Sequence, residues 1–190
     1  MAPFASRQHA LDWARSIVSR KDVLYVDTET TGVRYGQDDV IDIGIVDGAG
    51  IVLMDQLVRP LVPVPADAEA VHGISNKALY GAPTIADLWK ELSALLNGKL
   101  LVSYNADFDR QMLFSAGQRR GMTPILPVRW DCAMEAFVAF NGELSHHRRG
   151  FKWINLGTAA RSLDIDPPAH RAVADAIVCL EVVQEMSRRG

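Results

Sequence analysis

Cysteine is scarce in this chain: Cys132 and Cys179 are the only two in 190 residues, and no C-x-x-C occurs. That excludes a disulfide framework and a zinc knuckle, and it suits a reducing compartment such as the cytoplasm. No apolar run approaches the roughly 20 residues of a membrane-spanning helix, so no membrane partner is expected. Met1 to Arg20 carries Arg, His and Asp without an apolar stretch, so it does not read as a signal peptide. An excess of basic charge is lacking too. The net charge of −3 excludes a broad electrostatic clamp on a polyanion, so any phosphate contacts must be local. What is present is ordinary for a globular protein, with 48% hydrophobic and 23% charged residues. The length fits one domain, 1–190, with a core over about 22–186 and an N-terminal helix over about 6–20.

The stretch Val23-Leu24-Tyr25-Val26-Asp27-Thr28-Glu29-Thr30-Thr31-Gly32 reads as a buried strand running into a turn. Asp27 and Glu29 are spaced by two, so in an extended chain both face one side. Like charges placed so cost stability unless something neutralises them. Mg²⁺ and Mn²⁺, which prefer oxygen ligands, are the usual neutralisers; the plainer reading is a solvated turn. The pair becomes informative only if further carboxylates join it.

The rest of the pattern supplies candidates. A helix with Ala10, Trp13, Ala14, Ile17 and Val18 on its apolar face precedes the acidic strand. Val40 to Val46 and Ile51 to Val58 form a hairpin around Asp47-Gly48-Ala49-Gly50. Asp38, Asp39 and Asp42 are expected as solvated loop and edge carboxylates rather than ligands. Thr84 and Asp87 resemble a capping box opening a helix whose face is Ile85, Leu88, Trp89, Leu92, Leu95 and Leu96. Lys99 to Ser103 is a second buried strand, and it too runs into carboxylates, in Tyr104-Asn105-Ala106-Asp107-Phe108-Asp109, with helix expected from Arg110. Short strand, helix and helix follow, and Pro167-Pro168 breaks the chain before a final helix that carries Asp175. This order predicts an α/β domain with a mixed sheet, a meander first and parallel strands after. On one helix His170 and Asp175 would stand about 140° apart, so His170 is placed in the loop before that helix.

Sites in open α/β sheets collect outside the carboxyl ends of strands. Asp27, Glu29, Asp109 and Asp175 with His170 therefore suggest metal-assisted hydrolysis of a phosphate ester. Two divalent ions about 3.5–4 Å apart stabilise attacking and leaving oxygens, and a histidine takes the proton of the attacking water.

Val26-Asp27-Thr28-Glu29-Thr30-Thr31-Gly32 resembles the first motif of the DEDD 3′–5′ exonucleases. Asn105-Ala106-Asp107-Phe108-Asp109 resembles the second, and His170-Arg171-Ala172-Val173-Ala174-Asp175 the third, in the His subclass (DEDDh). Val71-His72-Gly73-Ile74 is similar to a segment of the epsilon proofreading and ribonuclease T relatives. The resemblance runs from about Val23 to Glu185 and implies a ribonuclease-H-like fold. It implies that Asp27 bridges two metals, that Glu29 and Asp175 complete the site of the water-activating ion, that Asp109 serves the second ion, and that His170 is the general base. Spacing within the motif selects Asp109 over Asp107. Thr28, Gly32, Val33, His72, Asn105 and Phe108 are the implied substrate contacts. Phe108 is either a base-stacking aromatic or a core residue, and His72 taken alone reads as structural. Tyr104 departs from the family, where His often precedes the Asn.

The expected function is therefore a metal-dependent 3′–5′ exonuclease that uses Mg²⁺ or Mn²⁺ and releases nucleoside 5′-monophosphates. DNA is favoured, with RNA ends or a non-catalytic end-binding subunit of a polymerase complex as alternatives. A non-catalytic module would show damage at one of the five key positions, and none is damaged. Nothing in the sequence indicates polymerase association. The one dense basic tract, His146-His147-Arg148-Arg149-Gly150-Phe151-Lys152-Trp153, is either a solvated loop or a contact to the substrate strand.

Overall fold

The computed structural model describes residues 4–142 and 153–189, and the basic tract from His146 to Lys152 lies outside them. The described elements are α1 (Arg7–Val18), β1 (Val23–Thr30), β2 (Val40–Asp47), β3 (Val52–Leu57), α2 (Ala66–His72), α3 (Ile85–Leu96), β4 (Leu100–Ser103), α4 (Ala106–Gln118), β5 (Arg129–Cys132), α5 (Ala133–Asn141), α6 (Leu156–Ser162) and α7 (Ala172–Arg188). The sheet order is β3-β2-β1-β4-β5. β1, β2 and β3 pair antiparallel, while β4 pairs parallel to both β1 and β5.

Period-two alternation divides β1 between two cores. Leu24 and Val26 face the helices α3 and α4, together with Ile43, Ile45 and Met54 of the neighbouring strands. Tyr25 faces α1, α5, α6 and α7, with Val46 beside it. The cross-strand register then continues the second face outward. Tyr25 lies opposite Val46, Asp27 opposite Gly44, and Glu29 opposite Asp42. Carboxylates thus follow apolar residues along the same face, at the end of β1 where the core runs out.

Local signals account for several boundaries. Ser6 caps α1, its hydroxyl accepting from the amide of His9 at 3.2 Å. Thr84 and Asp87 form the reciprocal capping box on α3. The Asp47 carboxylate accepts from the amides of Ala49 and Ile51, closing the β2–β3 turn. Trp13 packs inward from α1 as its spacing predicts, and its indole N–H donates to Asp131 at 2.9 Å. Val18, expected on the same face, is 45% exposed because the helix ends there.

Two expectations are corrected. Helix α4 begins at Ala106, not Arg110, so Asp107 and Asp109 stand in its first turn. Carboxylates favour that position beside the helix N-terminus. Asp38, Asp39 and Asp42 are buried, not solvated. Asp38 pairs with Arg34 at 3.2 Å. Asp39 pairs with Arg119 and Arg120 and also accepts from the amide of Leu61 at 2.7 Å. Asp42 pairs with Arg171 at 2.8 Å. Each has a cation brought to it, which is what makes burial of an acid tolerable.

Candidate active site

Asp27, Glu29 and Asp175 each offer a carboxylate oxygen, and the three atoms lie within 4.8 Å of one another. Strand β1 supplies the first two by its period of two, and α7 brings the third down onto them. That descent needs a gap in the sheet. Gly44 lies opposite Asp27 on β2, and a Cβ there would sit 2.2 Å from the backbone of Ala172 and Val173. Only glycine lets the first turn of α7 approach so closely. A glycine inside the strand run Val40-Ile41-Asp42-Ile43-Gly44-Ile45-Val46 was the available signal for such an approach.

Asp109 arrives by another route. Strand β4 pairs with β1 only as far as Tyr25, so the edge of β1 beyond it is open. The Ser103 hydroxyl donates to the Val26 carbonyl at 2.6 Å and ties the end of β4 there. Helix α4 then starts beside Asp27. The Thr28 hydroxyl, on the α4 side of the strand, donates to the Asp109 carboxylate at 2.8 Å. Thr28 was expected to touch substrate; its buried side chain instead holds Asp109.

The electrostatics of the cluster are unbalanced. Burial, then the charges of Asp109, Asp175 and Glu29, push the Asp27 carboxyl well above the usual carboxylate range. Burial and the neighbouring Asp175 and Asp42 push Glu29 up to about 8. Burial raises Asp109 to about 7 in spite of the hydrogen bond from Thr28. Asp175 is raised as well, mainly by burial, and its buried Oδ1 has no hydrogen-bond partner among the described residues. Four acids, one of them with an enclosed and unpartnered oxygen, form a donor set suited to hard divalent cations. The residues present therefore fit such an ion.

His170 is exposed and stands in the loop before α7, as its distance from Asp175 in sequence predicts. Its φ of 53° is left-handed, an uncommon state for a residue with a side chain. His72 is buried. Its Nδ1 accepts from the amide of Ile74 at 3.0 Å, while Nε2 has no partner among the described residues. Burial lowers its pKa. Gly32 lies against the Asp38 carboxylate, and Val33 beyond it is 74% exposed. Asn105 sits at the N-cap position of α4 without bonding the helix through its side chain. Phe108 is half-buried, packed on the α3–α4 core, with its ring 6.2 Å from that of Tyr35. Tyr104 turns into the core, and its hydroxyl donates to the Ile154 carbonyl at 2.8 Å. Sequence reasoning missed Gly44, Tyr35 and the buried Asp42.

A mixed sheet with an antiparallel meander, crossed by helices and carrying this acidic cluster at the end of its central strand, defines a ribonuclease-H-like nuclease. The exonuclease family model of the RNase T type matches residues 24–183, and the chain belongs to that family. It is 32% identical to an uncharacterised exonuclease of Escherichia phage 186 over 89% of this chain and 90% of that one. It is 29% identical to the DNA polymerase III epsilon subunit of Treponema pallidum, over 92% of this chain and 80% of that one. Its fold is similar to that of exonuclease X, solved in complex with 5′-overhanging duplex DNA. The TM-score is 0.64 and the identity 23%, over 87% of this chain and 91% of that one. No described helix is long and apolar enough to cross a membrane.

Proposed function

We propose that this chain removes nucleotides one at a time from the 3′ end of nucleic acid, DNA in preference to RNA, as nucleoside 5′-monophosphates. The whole chain serves as one catalytic domain. The observation that carries the reading is the uncompensated cluster of Asp27, Glu29 and Asp175 in an exonuclease fold. Asp27, Glu29 and Asp175 would hold one divalent ion, and Asp27 with Asp109 a second, Mg²⁺ or Mn²⁺ in each place. Bound there, such ions withdraw charge from the scissile phosphate and ease deprotonation of the attacking water.

The chain's own residues do the rest. Thr28 fixes the rotamer of Asp109. His170 accepts the proton of the attacking water at a ring nitrogen from outside the cluster, and its exposure lets it pass that proton to solvent. The exposed Val33 and the Phe108 ring flank the place where a terminal nucleotide would lie. Preference for DNA rests on the likeness to the epsilon subunit of a DNA polymerase.

The test uses 5′-labelled and 3′-labelled single and double strands of DNA and RNA, with Mg²⁺, Mn²⁺ or chelator. A ladder of shortening 5′-labelled products, with mononucleotide released from the 3′ label, is expected only with metal. Internal cuts, or shortening from the 5′ end, would overturn the polarity. Faster loss of RNA than of DNA would reverse the substrate order.

A further inference from the structure

The first turn of α7 is capped from the sheet, not from its own sequence. Arg171 occupies the N-cap position and makes no capping bond through its side chain. In its place the Asp42 Oδ2 accepts from the Ala172 amide at 3.2 Å and from the Arg171 Nε at 2.8 Å. A negative charge at a helix N-terminus is favourable, and Asp42 is fully buried in delivering it. Arg171 reaches further and pairs with Asp55 on β3 at 3.6 Å. Gly44, next but one to Asp42 on the same strand face, admits the backbone of Ala172 and Val173. Strand β2 therefore holds the residues that directly follow His170 by charge, by hydrogen bond and by close contact. His170 itself is exposed, makes no hydrogen bond through its ring to the described residues on its own turn, and stands in a left-handed backbone state. Such a state persists only where its surroundings over-determine it.

We infer that Asp42 is a positioning residue for His170: through Arg171 and the Ala172 amide it locks the turn that presents the imidazole to the acidic cluster. This rests on the proposed role of His170 as proton acceptor. Asp42 does not touch substrate; it also lies opposite Glu29 and raises that carboxyl, and the effect on turnover assigned to it is the part that passes through the histidine. Without the lock, the backbone before α7 relaxes to an ordinary conformation and the imidazole loses its fixed approach. Substrate contacts on β1 and α4 are untouched.

The test is a double-mutant cycle on the full chain with Asp42→Asn, His170→Ala and the pair. Asp42→Asn alone should lower kcat about 10- to 100-fold and leave KM within about twofold, given that loss of a general base costs about 10²- to 10⁴-fold. In the His170→Ala background the same change should cost almost nothing more, because two residues acting through one step are not additive. Full additivity overturns the inference. If Asp42→Asn does not fold, Arg171→Lys enters the same cycle, since lysine keeps the charge but cannot span from Asp42 to Asp55. The imidazole NMR spectrum of the metal-free protein gives a readout independent of turnover. The His170 signal, assigned by its loss in His170→Ala, should move towards that of a free histidine in Asp42→Asn. An unmoved signal overturns the inference even if the wild type proves to have no nuclease activity, an outcome that would sink the functional reading alone.

Discussion

Two groups of acids, one in the loop between β1 and β2 and one gathered at the end of β1 by α4 and α7, have opposite fates. Asp38 and Asp39 each receive arginines: Arg34 folds back on the first, and Arg119 and Arg120 reach the second from the end of α4. The Asp38 carboxyl is accordingly held below its usual range, chiefly by its hydrogen bond to Arg34. Asp109 and Asp175 are buried and Asp27 and Glu29 half-buried, yet burial raises every one of them, helped at Asp27, Glu29 and Asp175 by repulsion from neighbouring acids. Burial of an acid therefore says nothing by itself. The presence or absence of a protein cation separates a structural tie from a site that awaits charge from outside.

Removing one acid from each group breaks the comparison most sharply. Asp27→Asn should lower kcat by about 10³-fold or more, since metal-borne charge stabilisation contributes several kcal/mol. It should leave the metal-free melting temperature unchanged or raised, because repulsion is relieved. Measured turnover at the wild-type rate would sink the metal-site assignment. Asp39→Asn should do the reverse, costing about 3 kcal/mol of stability by leaving Arg119 and Arg120 without their carboxylate and only backbone carbonyls to bond; chemical denaturation reads it.

Metal and pH sharpen the same contrast. Glu29 at about 8 and Asp109 at about 7 bind protons in the folded state that they would release when unfolded, where carboxylates titrate near 4. Between pH 4 and about 8 the folded state holds more protons, so these groups make metal-free stability fall as pH rises. Asp38 acts oppositely, and its contribution is lost as pH falls below the usual carboxylate range. Mg²⁺ or Mn²⁺ at a fixed concentration, 100 times its Kd at pH 8, should add about 2.7 kcal/mol there, with a smaller rise in melting temperature at pH 6, where protons compete and Kd is weaker. An equal rise at both would mean that the ion does not compete with protons on the cluster.

The smallest effect concerns Phe108, which sits between both regions with one face on the core and its ring near Tyr35. Phe108→Ala should cost about 1–2 kcal/mol of stability and raise KM by roughly fivefold or more, the loss of one stacked base. A lower melting temperature with unchanged KM would leave Phe108 a core residue only.

Much of this was legible in the chain. The runs from Val23 to Thr30 and from Leu100 to Ser103 announce central strands ending in acids, and the Pro167-Pro168 break sets His170 ahead of its helix. Asp38, Asp39 and Asp42 were not legible as buried. The cations of Asp39 and Asp42 come from Arg119, Arg120 and Arg171, far along the chain, and local polarity cannot report a partner that only tertiary folding supplies. Arg34, the partner of Asp38, is only four residues away, but its pairing depends on how the loop folds back. Gly44 was visible as an oddity in a run of β-branched residues, but what approaches it depends on which helix covers that face. The start of α4 was set too late because Asp107 and Asp109 read as a carboxylate cluster at a strand end, while at a helix N-terminus acids are at home.

The seating of α7 on Gly44 also governs timing. Asp175 reaches Asp27 and Glu29 only when α7 lies across β1 and β2, where it also covers Tyr25 and Val46. A chain still on the ribosome, synthesised through β1 to α6, has an incomplete ligand set and a sheet with one apolar face bare. Contacts of such long sequence separation form late in folding. The acidic cluster is thus incomplete until α7 has emerged and docked.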